Sequence, residues 1–387
     1  MKNAGEMKND RRTGVRRRIA LLLSLVPLAG CSLAGAETAE IRSITACTRV
    51  TKWGQMPVCF QIRGQQLPEG IQPEDFVLTG EAGGWGTSAT HPFSCEIREV
   101  APAEDGWDLI PEQFPDKYFY VRSFSVQCSK APELSFTMEE IGETLTETAD
   151  SFSLLESENH RIRAQIYRPE ATEPLPVVVV FHGYGDTANL LTYRTAVDWA
   201  EPEHQAVRPC IVIAPVINDN SYFLDRERSR VFDQVLEWID GMIEAGTADP
   251  DRIYLMGNSF GGMAAIEMAQ QHPDRIAAVL ALCPALNYSP TARRAWDQMV
   301  GIPLYLVQAE KDETIPSSVS REVAEAFTEA GGEVILKIYS DEEMEAAGAA
   351  HGSEQTYSFH HAELALLEND EYAQWLFSHT RKEPEAE

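Results

Sequence analysis

The segment around Ser259 constrains the fold most strongly. Residues 253–256 are apolar and have the composition of a buried strand, and they lead directly into Gly-Asn-Ser-Phe-Gly at 257–261. An Ala- and Met-rich stretch of helical spacing then runs to residue 271. A serine in a sharp strand-to-helix turn leaves no room for side chains two positions before and after it, which explains both glycines. The segment therefore predicts a strand, a strained turn and a helix, with Ser259 displayed at the turn.

Apolar runs and helical patterns alternate along the chain after residue 150. Continuous apolar runs are typical of strands covered on both faces, and the alternation indicates βαβ units with a parallel sheet. The sequence thus predicts an α/β fold with a doubly wound, mostly parallel sheet. The expected strands lie at residues 177–181, 210–216, 253–256, 277–282, 304–307 and 333–340, and the expected helices at 228–243, 260–271 and 318–330.

The first part of the chain has a different pattern. From about residue 40 to 143, short alternating runs such as 59–62 and 118–121 are broken by Pro and Gly clusters, which predicts a small β-sandwich. The Thr- and Glu-rich stretch at 143–150 is predicted to be the linker between the two parts. We therefore predict a β-sandwich over residues 31–145 and an α/β domain over 146–382.

Residues 1–30 have the order of elements found in an export signal. Arg16 to Arg18 precede an apolar run, 19–29, that is too short to span a bilayer as a stable helix. The run ends in Leu-Ala-Gly-Cys at 28–31, which resembles the bacterial lipoprotein box. That resemblance implies cleavage before Cys31, lipidation of Cys31 and anchoring to a membrane outside the cytoplasm. A plain secretory signal with a coincidental Cys31 is the alternative.

Charge and cysteine content set two further limits. The net charge of −28 disfavours binding to nucleic acid, whose phosphates would repel such a surface. Outside the cytoplasm, the six cysteines that follow Cys31 could form disulfides, but the sequence leaves their pairing open.

The candidates for an acid and a base lie late in the chain. Asp312 follows the predicted strand 304–307, with Glu310 and Glu313 as competitors that are more typical of solvent-facing positions. Three histidines, His351, His360 and His361, follow the last predicted strand. A serine, a buried carboxylate and a histidine are the groups that nucleophilic acyl transfer requires. Because no H-E-x-x-H pattern occurs, we predict neither a metal nor a cofactor.

Together these motifs resemble the α/β-hydrolase superfamily over residues 150–380, in particular secreted polyhydroxybutyrate-depolymerase-like esterases and predicted peptidases. In that group the catalytic histidine lies fifteen residues before a Trp-Leu-Leu helix, which implies His360 as the base, with His351 and then His361 as alternatives. Two positions depart from the group: Glu363 replaces a common tryptophan and Ala309 replaces a glycine. Residues 73–80 are similar to the start of an immunoglobulin-like domain carried by some secreted esterases.

The resemblance also implies an oxyanion hole and an activity. The backbone N–H groups of Phe260 and Tyr184 are the expected donors, with Gly183 as the next choice, whereas His182 is expected to hold the loop. The implied function is a serine hydrolase that cleaves carboxylic esters, with Ser259, Asp312 and His360 as its triad. The alternatives are a serine peptidase of the same fold and an inactive cell-surface binding lipoprotein.

Overall fold

The computed structural model describes residues 42–52, 54–83, 90–112, 120–185, 190, 194–350 and 358–381. Residues Glu40–Glu387 form one compact unit. The predicted export segment, Cys31 and His351 lie outside the described residues. Within the parts of the chain that are described, no helix is both long enough and apolar enough to cross a membrane.

The N-terminal part is a β-sandwich, as predicted. One sheet has the strand order β5-β6-β2-β1-β9 and the other has the order β4-β3-β7-β8. Rings from the two sheets meet in the core, since Phe60 lies 5.2 Å from Phe124 and Phe76 lies 5.5 Å from Trp107 between ring centroids. The strands are β1 Ser43–Thr51, β2 Gly54–Arg63, β3 Phe76–Gly83, β4 His91–Cys95, β5 Ile97–Ala103, β6 Gly106–Pro111, β7 Tyr120–Cys128, β8 Phe136–Thr137 and β9 Glu143–Thr146.

The second part contains a sheet of eight strands in the order β10-β11-β13-β12-β14-β15-β16-β17. Strands β12 to β17 pair in parallel, while β10 and β11 form an antiparallel edge. The strands are β10 Ser153–Glu156, β11 Arg163–Tyr167, β12 Leu175–Phe181, β13 Ile211–Pro215, β14 Ala248–Asn258, β15 Ala278–Leu282, β16 Leu304–Ala309 and β17 Val334–Tyr339.

Helices cover both faces of this sheet, which confirms the predicted doubly wound α/β fold. Alternate residues of β12 belong to different cores, with Val178 and Val180 on one face and Val177 and Val179 on the other. All seven residues of β12 are buried, as expected for a strand covered on both sides. The helices are α1 Arg194–Val197, α2 Pro202–Val207, α3 Asp225–Glu244, α4 Phe260–Gln271, α5 Ser317–Glu329, α6 Asp341–Ala346, α7 Glu363–Leu366 and α8 Glu371–Phe377.

The order of the central strands determines where a ligand can bind. The chain passes from β12 outward to β13 on one side and then returns to β14 on the other side of β12. In open α/β sheets a crevice forms at such a reversal, outside the carboxyl ends of the strands. Tyr184 follows β12 and Ser259 follows β14, so both residues lie at this edge of the sheet.

The sandwich contacts the α/β part through charged side chains. Arg49 of β1 lies 3.5 Å from Glu201, and Lys52 lies 2.7 Å from Glu368. These residues line a cavity of about 700 Å³ that contains none of Ser259, Asp312 and His360. Because both parts lie in one compact unit, their division into two domains stays a prediction. The cavity therefore lies between the two parts and is lined by charged side chains.

The structure bears on the cysteine pairing that the sequence left open. Among the described residues the six cysteines form no disulfide. Cys47 and Cys59 stand directly opposite each other on β1 and β2.

Candidate active site

Ser259 occupies a strained turn between β14 and α4. Its backbone angles are φ 56° and ψ −120°, a conformation that costs a non-glycine residue about 1–3 kcal/mol. Two hydrogen bonds fix the turn: the Ser259 N–H donates to the Leu282 carbonyl at 2.8 Å, and the Ala285 N–H donates to the Ser259 carbonyl at 2.9 Å. The strand beside β14 thus holds the serine in a geometry that the local chain would not adopt alone.

The two glycines permit this turn for the steric reason that the sequence indicated. A β-carbon on Gly257 would overlap the backbone of Gly261. A β-carbon on Gly261 would overlap the Phe181 carbonyl oxygen and lie 2.6 Å from that of His182. All of these neighbours are backbone atoms, which cannot move aside as a flexible side chain can. Strand β12, the turn and α4 therefore pack backbone against backbone.

Asp312 and His360 are brought together although 48 residues separate them. His360 Nδ1 lies 2.8 Å from Asp312 Oδ2. The Asp312 side chain is fully buried and that of His360 is 13% exposed. An ionised carboxylate only accepts hydrogen bonds, so the proton of a neutral His360 is assigned to Nδ1 and Nε2 is left as an acceptor. This is the tautomer that a histidine base needs.

A buried network holds the Asp312 carboxylate in place. Asp312 Oδ1 accepts the backbone N–H groups of Thr314 at 2.7 Å and Ile315 at 2.9 Å. Asp312 Oδ2 also accepts from Gln308 Nε2 at 2.7 Å, and Ser320 Oγ donates to Gln308 Oε1 at 2.8 Å. The carboxylate that faces His360 is therefore fixed from β16 and α5.

The competing acidic residues and one competing histidine lie in other environments. Glu310 is exposed and forms an ion pair with Arg321, and Glu313 is exposed as well. His361 directs Nδ1 to Glu363 Oε1 at 2.8 Å. Of these acidic residues, only Asp312 has a buried carboxylate that is hydrogen-bonded to a histidine.

His182 is held by backbone groups, which is the role that the sequence suggested. Its ring is fully buried, Nδ1 donates to the Gly183 carbonyl at 2.7 Å, and Nε2 accepts the Ile217 N–H at 3.0 Å. The hydroxyl of Tyr222 donates to the His182 carbonyl. Both ring nitrogens are occupied, so His182 fixes the loop that carries Tyr184.

Cys283 links the nucleophile turn to the histidine loop. It follows β15, has a positive φ of 37° and is fully buried. Its thiol donates to the His360 carbonyl at 3.1 Å. Burial raises the pKa of this thiol well above the ordinary value of 9.0, and the nearby Asp312 carboxylate raises it further. The group is therefore a protonated thiol that can act as a hydrogen-bond donor.

Cys283 Sγ, an Asp312 carboxylate oxygen and a His360 ring nitrogen lie within 4.8 Å of one another, a spacing that a metal ion could bridge. However, both Asp312 oxygens already accept hydrogen bonds, and the thiol keeps its proton. A metal prefers a thiolate ligand. We therefore interpret these three residues as a hydrogen-bonded cluster.

The residues predicted to form the oxyanion hole are neighbours. The rings of Tyr184 and Phe260 lie 5.7 Å apart between centroids. Phe260 is the first residue of α4, and the first N–H groups of a helix have no acceptor within the helix. Anions are favoured at such an end. The loop after β12 and the start of α4 are thus placed side by side.

Sequence reasoning missed Cys283 and Gln308 as parts of this site. The sequence placed Cys283 only among the six cysteines whose pairing it left open, although this residue directly follows a predicted strand. Side chains at the carboxyl ends of neighbouring parallel strands converge, so the position of Cys283 was an available signal. Gln308 lies inside β16, and only the folded structure shows that its side-chain amide donates a hydrogen bond to Asp312.

Comparisons with known proteins agree with this architecture. Residues 156–346 match the sequence family described as "Putative esterase". "Putative esterase NocK" of Nocardia uniformis subsp. tsuyamanensis is 25% identical over 211 residues, which is 45% of this chain and 56% of that protein. The chain therefore spans just over half the length of that relative.

A solved structure shares the fold over most of the chain. The crystal structure of a thermostable esterase aligns with a TM-score of 0.65 at 21% identity, covering 88% of this chain and all of that one. Because the alignment covers so much of the chain, the shared fold includes strands of the sandwich as well as the large sheet. The chain therefore has the α/β-hydrolase fold, and its residues 156–346 are similar to the family described as "Putative esterase".

Proposed function

We propose that the chain is a serine hydrolase that cleaves carboxylic esters through an acyl-enzyme. The observations that carry the proposal are the buried Asp312–His360 hydrogen bond of 2.8 Å and the strained strand-to-helix turn that holds Ser259. A carboxylate that fixes the histidine tautomer and a displayed serine hydroxyl are the two requirements of this chemistry.

Each residue has a separate role in the proposed reaction. Ser259 Oγ attacks the ester carbonyl carbon while His360 Nε2 takes the hydroxyl proton. Asp312 orients His360 and stabilises its charged form. The N–H groups of Phe260 and Tyr184 stabilise the oxyanion. His360 then returns the proton to the leaving alkoxide, so that an alcohol departs and the acyl group stays on Ser259.

Water completes the cycle in a second step. His360 removes a proton from water, the resulting hydroxide attacks the acyl carbon, and the carboxylic acid leaves Ser259 with its proton restored. An ester is favoured over an amide because an alcohol is the better leaving group. The similarity of residues 156–346 to the family described as "Putative esterase" supports the same choice.

Kinetics on variants test the proposal. The purified protein is assayed with p-nitrophenyl acetate and butyrate, beside Ser259→Ala, His360→Ala and His351→Ala. His361→Ala is the matched control, because His361 is the adjacent histidine and contacts Glu363 rather than Asp312. We expect kcat to fall by about 10⁴ or more in the Ser259 and His360 variants.

The remaining outcomes separate the alternatives. Full activity in His360→Ala with loss in His351→Ala would move the base to His351. A folded parent that cleaves short peptide amides faster than esters would instead be a peptidase. A parent inert to both classes would be a binding protein.

We also propose that residues 1–30 direct export and that Cys31 carries the lipid anchor. The support is the order of basic, apolar and Leu-Ala-Gly-Cys elements. Labelling of cells with radioactive palmitate should mark the parent in the membrane fraction and leave Cys31→Ala unlabelled. An unlabelled parent would refute the anchor.

A further inference from the structure

Three exposed aromatic rings surround the residue that follows Ser259. Tyr184 is 49% exposed, and Phe223 and Tyr288 are each 55% exposed. Their ring centroids lie 5.7 Å, 5.3 Å and 5.2 Å, respectively, from that of Phe260, which is itself 8% exposed. We call the rings of Tyr184, Phe223 and Tyr288 the aromatic platform.

The aromatic platform lies at the edge of the sheet that carries the proposed chemistry. Tyr184 comes from the loop after β12, Phe223 from the segment after β13 and Tyr288 from the segment after β15. Phe260 joins the platform directly to Ser259. A group bound on the platform would therefore be continuous with an ester carbonyl held at Ser259.

Exposed rings of this size require an explanation. Single exposed apolar residues are common, but neighbouring large apolar side chains on a soluble protein mark binding sites. Leu224, beside Phe223, is 54% exposed as well. Aromatic rings attract one another in tilted and edge-to-face arrangements, so a further planar ring from a ligand fits this surface better than a saturated one.

A buried ion pair anchors the segments that carry two of the rings. Arg228 of α3 donates to both carboxylate oxygens of Glu267 of α4, with its Nη2 2.7 Å from Oε1. Arg228 also donates to the Tyr222 carbonyl, next to Phe223. Ser289 Oγ, next to Tyr288, donates to the same Glu267 oxygen.

The ion pair of Arg228 and Glu267 holds the segments of Phe223 and Tyr288 in place in the absence of a ligand. The side chains of Arg228 and Glu267 are only 3% and 7% exposed, so their hydrogen bonds are little weakened by water. Segments held in the bound geometry lose little freedom when a ligand binds. The rings of Phe223 and Tyr288 are thus preorganised beside the nucleophile.

We propose that the aromatic platform binds a planar aromatic ring of the substrate, so that the substrate is a carboxylic ester with an aromatic ring in its acyl or alcohol part. This inference rests on the proposed ester hydrolysis. Stacking on each ring should favour an aromatic over a saturated group by about 2- to 12-fold in kcat/KM.

Matched pairs of esters test the inference. Methyl 3-phenylpropanoate is compared with methyl 3-cyclohexylpropanoate for the acyl side, and benzyl acetate with cyclohexylmethyl acetate for the alcohol side. Methyl butyrate, which has no ring, reports ester hydrolysis itself. The parent should prefer the aromatic member of at least one pair by several-fold.

Variants assign that preference to the platform. Phe223→Leu and Tyr288→Leu should reduce the aromatic-to-saturated ratio toward one, whereas Phe223→Tyr, which retains a ring, should keep it. Val207→Ala is the control, because Val207 is an exposed apolar residue of α2 outside the platform. It should keep the ratio of the parent. Circular dichroism confirms that each variant is folded.

The possible failures are distinguishable. A parent that hydrolyses methyl butyrate but treats both pairs equally would overturn the platform inference alone. So would leucine variants that keep the ratio of the parent. A folded parent that hydrolyses none of the five esters would overturn the proposed function, and the inference with it.

Discussion

Replacing Asp312 with asparagine should abolish most activity while leaving the fold intact. The Asp312 carboxylate accepts four hydrogen bonds, two at Oδ1 from the N–H groups of Thr314 and Ile315, and two at Oδ2 from Gln308 and His360. An asparagine has only one oxygen. It can serve the two backbone N–H groups, but its NH₂ then faces two further donors.

The surroundings of Gln308 and His360 determine which of these two donors can change its hydrogen bonding in the variant. Gln308 cannot turn its amide without losing its hydrogen bonds to the Ile315 carbonyl at 3.1 Å and to Ser320 at 2.8 Å. His360 can adapt by moving its proton from Nδ1 to Nε2, so that Nδ1 accepts from the new NH₂. A histidine with its proton on Nε2 cannot take the proton of Ser259. The variant would therefore hold the wrong tautomer.

The expected magnitudes follow from these contacts. The wrong tautomer should lower kcat by about 10⁴. In the variant, the Gln308 Nε2–H faces the NH₂ of the new asparagine and has no acceptor there. This unsatisfied donor should lower the free energy of unfolding by about 1–3 kcal/mol. The first quantity is measured as p-nitrophenyl butyrate hydrolysis, and the second by urea unfolding followed by circular dichroism.

Glu310→Gln is the matched control for Asp312→Asn. Glu310 lies two residues away, is exposed and pairs with Arg321 at the surface. Exposed pairs of this kind contribute about 0–1 kcal/mol, so the control should keep nearly full activity and stability. If Asp312→Asn lost less than about tenfold in kcat, or if Glu310→Gln lost as much as Asp312→Asn, the role given to Asp312 would be wrong.

Three further predictions concern packing, thiol reactivity and acid stability. Gly261→Ala should destabilise the protein by about 1–3 kcal/mol in thermal or urea unfolding, because its β-carbon would meet the Phe181 carbonyl; unchanged stability would contradict the close packing. Cys283 should resist iodoacetamide at pH 8 in the folded protein and react after unfolding, as read by mass spectrometry, because burial raises its pKa; labelling in the folded state would contradict this. Burial raises the pKa of Asp198, but the hydrogen bond from His204 and the other partners of Asp198 lower this pKa overall. Ionised Asp198 therefore stabilises the folded protein above its ordinary pKa of 3.8. That stabilisation is lost as the pH falls through the lowered pKa. In Asp198→Asn the free energy of unfolding, measured in urea, should therefore decline less steeply as the pH falls below 3.8. A decline as steep as that of the parent would refute this role of Asp198.

The sequence predicted the layout of the α/β part well because its signals are local. The run predicted at 304–307 lies in β16 Leu304–Ala309, and the helix predicted at 260–271 is α4 Phe260–Gln271. Buried parallel strands are continuous apolar runs, and the glycines of the turn have a steric cause. Such features are determined by neighbouring residues and can be recognised without the rest of the fold.

The contacts among distant residues were less accessible from the sequence. The sequence suggested Asp312 and His360 separately, by position and resemblance, but their hydrogen bond joins residues 48 positions apart and depends on the tertiary fold. The thiol of Cys283 contacts the His360 carbonyl, which is distant in sequence. The platform rings Phe223 and Tyr288 come from segments that hydrogen-bond to the buried pair of Arg228 and Glu267. No spacing in the sequence indicates that pair.

Covalent labelling tests the central claim most directly. The folded protein is treated with a fluorophosphonate probe, which phosphonylates activated serines, and the adduct is located by mass spectrometry of its peptides. We predict a single adduct, on Ser259, that is absent from Ser259→Ala and strongly slowed in His360→Ala. A protein that hydrolyses esters yet carries no adduct at Ser259, or carries it on another serine, would contradict the account.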